Sequence, residues 1–221
     1  MKSVLISIQP KYCELIASGK KTVEVRKTRP KLETPFKVYI YCTKQGKQFF
    51  HGGIGEKECL FKNPDTGKIK FDYSFELMCC RNEYTKDNFL SGKVIGEFVC
   101  DEILELAQNE NGGYYIPKVQ FGYACMTVAE AKTYGQGKTL YGWHISDLVI
   151  YDKPRELSEF KYHCRYEYDD DFKHCSGCDY YHFSNTPSNG REEWCGCDGL
   201  KRLKRPPQSW CYVERREEND G

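Results

Sequence analysis

The first 26 residues change hydrophobic period twice, and that switch constrains the fold more than any other feature of the chain. Val4 to Ile8 is apolar at four of five positions, which reads as a short buried strand. Pro10 suits the first turn of a helix, and Tyr12, Leu15 and Ile16 follow at helical spacing. Gly19 then stands where a glycine is expected, just past a helix end. From Lys21 to Arg26 the period falls to two: Val23 and Val25 face one side, and Thr22, Glu24 and Arg26 the other. A strand, a helix and a second strand with one charged face are therefore predicted in close succession.

Further strands are predicted at Lys37 to Cys42, Ile69 to Tyr73, Lys93 to Cys100 (Gly96 marking a bulge), Leu148 to Tyr151 and Ser209 to Val213. Thr127 to Tyr134 reads as a short helix with Thr127 as its N-cap, and Pro154 to Phe160 as a helical turn. The intervals between strands are irregular and no strand–helix alternation is sustained. An α+β fold with a small mixed β-barrel and short flanking helices is favoured over a parallel sheet.

Thirty-two aromatic residues (17 Tyr, 12 Phe, 3 Trp) exclude a disordered chain, and no apolar run is long enough to span a bilayer. Val4 to Ile8 is too short for the core of an export signal, so a reducing, cytoplasmic location is expected. The formal net charge of +1 conceals an asymmetry: residues 1–50 hold eleven Lys/Arg against three acids, a net of +8, and the rest carries −7. A basic portion of this kind attracts phosphate or forms a solvated face. A second basic run, Lys201-Arg202-Leu203-Lys204-Arg205, precedes Pro206-Pro207.

Thirteen cysteines in such a chain are core residues, metal ligands or reactive thiols. Cys13, Cys42, Cys59, Cys79, Cys80, Cys100, Cys125 and Cys211 are scattered, mostly in apolar runs, and read as core. Residues 161–199 are polar and short of aliphatics. There Cys175-Ser176-Gly177-Cys178 forms a C-x2-C knuckle and Cys195-Gly196-Cys197 a C-x-C pair. Four thiolates suit a tetrahedral structural zinc, with Cys164, His174 or His182 as possible substitutes; free thiols or a redox dithiol are the other readings.

The helix-to-strand corner carries the most chemistry. Gly19-Lys20-Lys21-Thr22-Val23-Glu24-Val25-Arg26 places an ammonium, a carboxylate and a guanidinium within six residues. Such a trio binds a phosphate or a polarised base, or else forms a surface ion pair on an edge strand. Trp143, Trp210 and Tyr41 are candidate stacking platforms for a base or else core residues, and His144 is a candidate ligand contact or a hydrogen-bonded structural histidine. Lys44 completes the expected binding set.

Gly19-x-Lys21-x-x-Glu24-x-Arg26 resembles the signature of the ASCH family, a branch of the PUA-like superfamily. Gly142-Trp143-His144-Ile145 with Leu148 to Tyr151, and Pro206 to Tyr212, look like segments of phage and bacterial ASCH-domain proteins, so the resemblance covers roughly residues 1–160 and 205–213. It implies a PUA-like barrel over residues 1–160 with a final barrel strand over 200–213, while composition sets off the Cys-rich insertion over 161–199 and an acidic disordered tail over 214–221. It also implies RNA or a modified nucleobase as partner, in a cleft lined by the motif. Some ASCH members are amidohydrolases of acetylated cytidine nucleosides, and another is a ribonuclease. The resemblance to these implies a hydrolase using Lys21 as base with Glu24; their catalytic Thr falls at Glu24 here, leaving Thr22 as the nearby hydroxyl. A phage-type protein-interaction module, with the insertion as its binding surface, is the third expectation.

Overall fold

A computed structural model describes residues 2–44, 59–72, 88–106, 108, 113–114, 123–163, 181–186, 190–195 and 200–214. The chain opens with strand β1 (Lys2–Ile8), helix α1 (Pro10–Ala17), β2 (Val23–Arg26) and β3 (Phe36–Cys42). A hairpin follows, β4 (Cys59–Lys62) and β5 (Ile69–Asp72), then β6 (Val94–Cys100) and β7 (Ile103–Leu106). Helix α2 (Val128–Gly135) leads into β8 (Leu140–His144) and the long β9 (Ser146–Arg155). The last elements are β10 (Lys161–His163), the hairpin β11 (Tyr181–Thr186) and β12 (Gly190–Cys195), β13 (Leu200–Arg202) and β14 (Trp210–Glu214).

The principal sheet has the order β14-β1-β3-β6-β9, parallel between β1 and β3 and antiparallel elsewhere. Its central strands are buried on both faces, which is why β1 is a continuous apolar run and not an alternating one. Val4, Ile6, Val38, Ile40 and Phe98 pack on one side with Cys13 and Ile16 of α1. Leu5, Tyr39, Val94, Phe160 and Leu203 pack on the other. On that side Glu97 takes Lys37 at 2.5 Å and the Tyr151 hydroxyl at 2.5 Å. Burial pushes the Glu97 carboxyl up, but these hydrogen bonds and the charges of Lys37 and Arg155 outweigh it and hold it below its ordinary value.

A three-stranded sheet, β2-β8-β7, packs at the corner. Val23 and Val25 join Leu106, Ala131 and Leu140 in its own core cluster. The two shortest passages between the sheets run through Asp101-Glu102 and through Ile145. There His144 N–H donates to the Glu102 carbonyl at 2.9 Å, and Ile145 N–H to the Thr22 carbonyl at 2.8 Å.

Among the described residues the fold is sheet-dominated, mixed and carries two α-helices, but the expected closed barrel is absent. β14 and β9 remain edges of the large sheet, and no ladder joins it to β2-β8-β7. The corners account for this, because strands that turn sharply from one sheet into the next interrupt the hydrogen-bond register. Register shifts on both sides of Gly96 agree with the bulge predicted there. The predicted helical turn at Pro154 to Phe160 shrinks to Leu157–Glu159, because Pro154 belongs to β9, an edge strand.

Cys13, Cys42 and Cys100 are fully buried, as core cysteines should be, while Cys125 and Cys211 are half-buried. Cys175, Cys178 and Cys197, with Cys164 and His174, lie outside the described residues, as does the tail after Glu214. No group of metal-ligating side chains occurs among the described residues. No helix there is long and apolar enough to cross a membrane.

Candidate functional site

Helix α1 stops where Gly19 adopts φ 73°, a left-handed conformation open to glycine at no steric cost. The turn is fixed by Gly19 N–H on the Ile16 carbonyl and Lys21 N–H on the Leu15 carbonyl, both 2.9 Å. These bonds aim Lys21 inward at the start of β2, where it is 3% exposed. Glu24 and Arg26 follow on the same strand face at 6% and 9% exposure. The surface ion pair on an exposed edge strand is thereby excluded.

Glu24 stands between the two cations. Its Oε1 is 3.0 Å from Arg26 Nη2 and its Oε2 is 3.4 Å from Lys21 Nζ. Lys21 Nζ also donates to the Ala124 carbonyl at 2.6 Å and lies 5.2 Å from the centroid of the Tyr12 ring. Arg26 Nη2 donates to the Ser7 carbonyl at 2.6 Å. Burial raises the Tyr134 hydroxyl above its usual value, against a partial counter-pull from the Arg26 charge.

Two atoms of this cluster have no hydrogen-bond partner despite full burial. Glu24 Oε2 is near Lys21 but not in hydrogen-bonding geometry, and Arg26 Nε is unmatched. A buried donor or acceptor left unmade costs about 1–3 kcal/mol, more for charged groups, so this acceptor and donor are primed for a polar ligand.

Glu24 and Arg26 line a cavity of about 520 Å³ with Ser7, Gln9, Tyr12 and Lys21, and with Met126, Glu130, Thr133 and Tyr134 of the α2 region. The cavity is within the range of small-ligand sites. A wider groove of about 1480 Å³ adjoins it and shares Ser7, Gln9, Arg26 and Tyr134 as common wall.

The structure brings Lys21, Glu24 and Arg26 together in the cavity and puts Tyr41 and Lys44 in the adjoining groove. Tyr41 is only 4% exposed, too little for a stacking face. Trp143 lies outside both cavities at 0% exposure, packed edge-on against Phe36 with ring centroids 5.8 Å apart. Trp210 packs on Trp143 and gives its indole N–H to the Thr28 hydroxyl at 3.0 Å. His144 pairs with Asp101 at 2.7 Å, and that hydrogen bond holds the Asp101 carboxyl below its usual value. Thr22 lines neither cavity and only its backbone is engaged.

Sequence reasoning missed Tyr12 and Tyr134, the two aromatics that flank the trio. Tyr12 carried only helical spacing, and Tyr134 reaches the site because α2 packs across β2, a pairing that no short motif announces.

The ASCH domain model matches residues 6–111, which contain the whole trio. Over those residues the chain is similar to the ASCH family. The match spans just under half of the 221 residues, and α2, β8 and the C-terminal strands lie beyond it. Among solved structures, ASCH from Zymomonas mobilis is similar at 18% identity, covering 70% of this chain and 73% of that one with a TM-score of 0.41. A tyrosine-to-phenylalanine variant of that ASCH protein aligns at 17% identity, over 71% of this chain and 77% of that one, also with a TM-score of 0.41. A comparison with curated proteins returns no match.

Proposed function

We propose that this ASCH-like chain binds nucleic acid, with an RNA base or a modified nucleobase seated in the smaller cavity. ASCH domains belong to a PUA-like group that generally binds RNA. The observation that carries the reading is the buried Lys21–Glu24–Arg26 cluster, with one carboxylate oxygen and one guanidinium N–H unmatched beside a ligand-sized space. Glu24 accepts from an exocyclic amine, Arg26 donates to a base carbonyl or phosphate, and Tyr12 and Tyr134 flank the guest. Both close partners of the Lys21 ammonium are acceptors, an arrangement suited to a fixed donor. Binding is therefore preferred here to hydrolysis with Lys21 as base.

We also propose a structural zinc for the insertion. Tyr181 pairs with Cys195 across the β11–β12 hairpin, so Cys195 ends its strand beside the residue that starts the other. The Cys175–Cys178 pair lies a few residues upstream of that start, and Cys197 just beyond Cys195.

A titration with short fluorescent RNA tests the cavity reading. Wild type is expected to bind with an affinity that weakens steeply with salt, and Lys21→Gln, which is milder than a charge reversal and leaves Glu24 paired with Arg26, to weaken binding at least tenfold, with circular dichroism and urea denaturation separating lost binding from lost fold. Absent or salt-insensitive binding by the wild type overturns it.

A further inference from the structure

The groove beside the cavity is built about equally by residues inside the ASCH match and by residues beyond it. Its wall contains Lys27 and Lys44 from the N-terminal half, and Arg202 and Lys204 from the C-terminal basic run. The sequence left open whether that run is merely solvated. Its placement answers the question, because it is strung between two anchors. Leu203 is 8% exposed in the core, and its N–H donates to the Phe160 carbonyl at 2.8 Å. Downstream, Ser7 donates its hydroxyl to the Pro207 carbonyl at 2.7 Å and its N–H to the Ser209 carbonyl at 2.9 Å. The same Ser7 receives Arg26 through its own carbonyl. Arg202 and Lys204, both exposed, therefore flank an inward-pointing leucine and are fixed relative to the cavity mouth.

The opposite wall is held as firmly. Lys44 runs directly over Gly92, so closely that a Cβ there would overlap its side chain. Lys27 Nζ lies 4.9 Å from the centroid of the Tyr134 ring, on the boundary between groove and cavity. Among the described residues the groove's one acid, Glu156, faces Lys93 at 3.8 Å. The result is a cationic channel leading away from a pocket sized for one base, and its volume exceeds what a single nucleotide fills.

We infer that the ligand is a single-stranded polynucleotide and not a free nucleoside: one base enters the cavity while the flanking phosphates run along the Lys27–Lys44–Arg202–Lys204 groove. The inference rests on the proposed function of the cavity and adds a second, electrostatic site to it. Single strands suit the geometry because an unpaired base can be splayed out while a positive groove tracks its backbone.

The test compares ribonucleoside 5′-monophosphates, by calorimetry, with fluorescein-labelled RNA and DNA octamers, by anisotropy, on the full chain. The octamer of at least one sugar type is expected to bind about tenfold or more tighter than the mononucleotide, with a log–log salt slope of about −3 for four neutralised phosphates. Arg202→Gln/Lys204→Gln is expected to remove most of the length dependence and to flatten the slope by about 1.5. The RNA and DNA arms show which backbone the groove accepts. Mononucleotides binding as tightly as octamers would overturn the groove while leaving the cavity reading intact. Failure of every mononucleotide and octamer would overturn both. Polyglutamate competing as well as either octamer would show a general anion surface and overturn the assignment to nucleic acid.

Discussion

Glu24 has two cations to satisfy and less than a tenth of its surface in water. Burying three charges is tolerable only while each keeps a counterpart, and removing one partner of such a set is far costlier than the pair is worth. Glu24→Ala is therefore expected to destabilise the chain by about 3–5 kcal/mol in urea denaturation, although its side chain touches no large part of the core. A loss below about 1 kcal/mol, as for an exposed pair, would contradict the buried geometry. The spacing of Lys21, Glu24 and Arg26 was legible in the sequence because period-two alternation puts Glu24 and Arg26 on one strand face. Their burial was not legible, since α2 supplies the covering wall from a hundred residues away. The tryptophans show the opposite limit. The sequence favours core over platform for Trp143 without deciding it, and only its place opposite Glu24 in the β2–β8 register, against Phe36, assigns it to the core.

Elements with strong local signals appear where the residues place them. Pro10 starts α1 and Gly19 follows its end. Thr127 caps α2 with a reciprocal Glu130 capping box, although the sequence reading noted only the threonine. Barrel closure is not legible in the sequence, because it depends on whether register continues around the corners at Asp101 and Ile145, which no segment encodes alone. Edge placement likewise turned Pro154 from a helix starter into a strand residue. The hairpin β11–β12 belongs to a segment poor in aliphatics and thus in need of some other staple. Elemental analysis of the purified protein is expected to give about one zinc per chain, lost in Cys175→Ser/Cys178→Ser. A folded, zinc-free chain would remove the metal from the account.

On the scale of the whole molecule, a net charge of +1 is a poor guide to the surface. The +8 of residues 1–50 and the basic run at 201–205 are far apart in sequence, yet parts of both line one groove. Strand pairing brings them there: β13 pairs with β10, and β14 pairs with β1, whose Ser7 pins the segment between β13 and β14. Local field, not total charge, governs attraction to a polyanion. The central claim is that a base occupies the cavity between Tyr12 and Tyr134. The most direct measurement is photo-crosslinking of an RNA octamer carrying one 4-thiouridine, with the attachment site located by mass spectrometry. Attachment to Tyr12, Met126 or Tyr134 is the predicted result, and attachment confined to the 181–195 hairpin or another surface remote from β2 would contradict it.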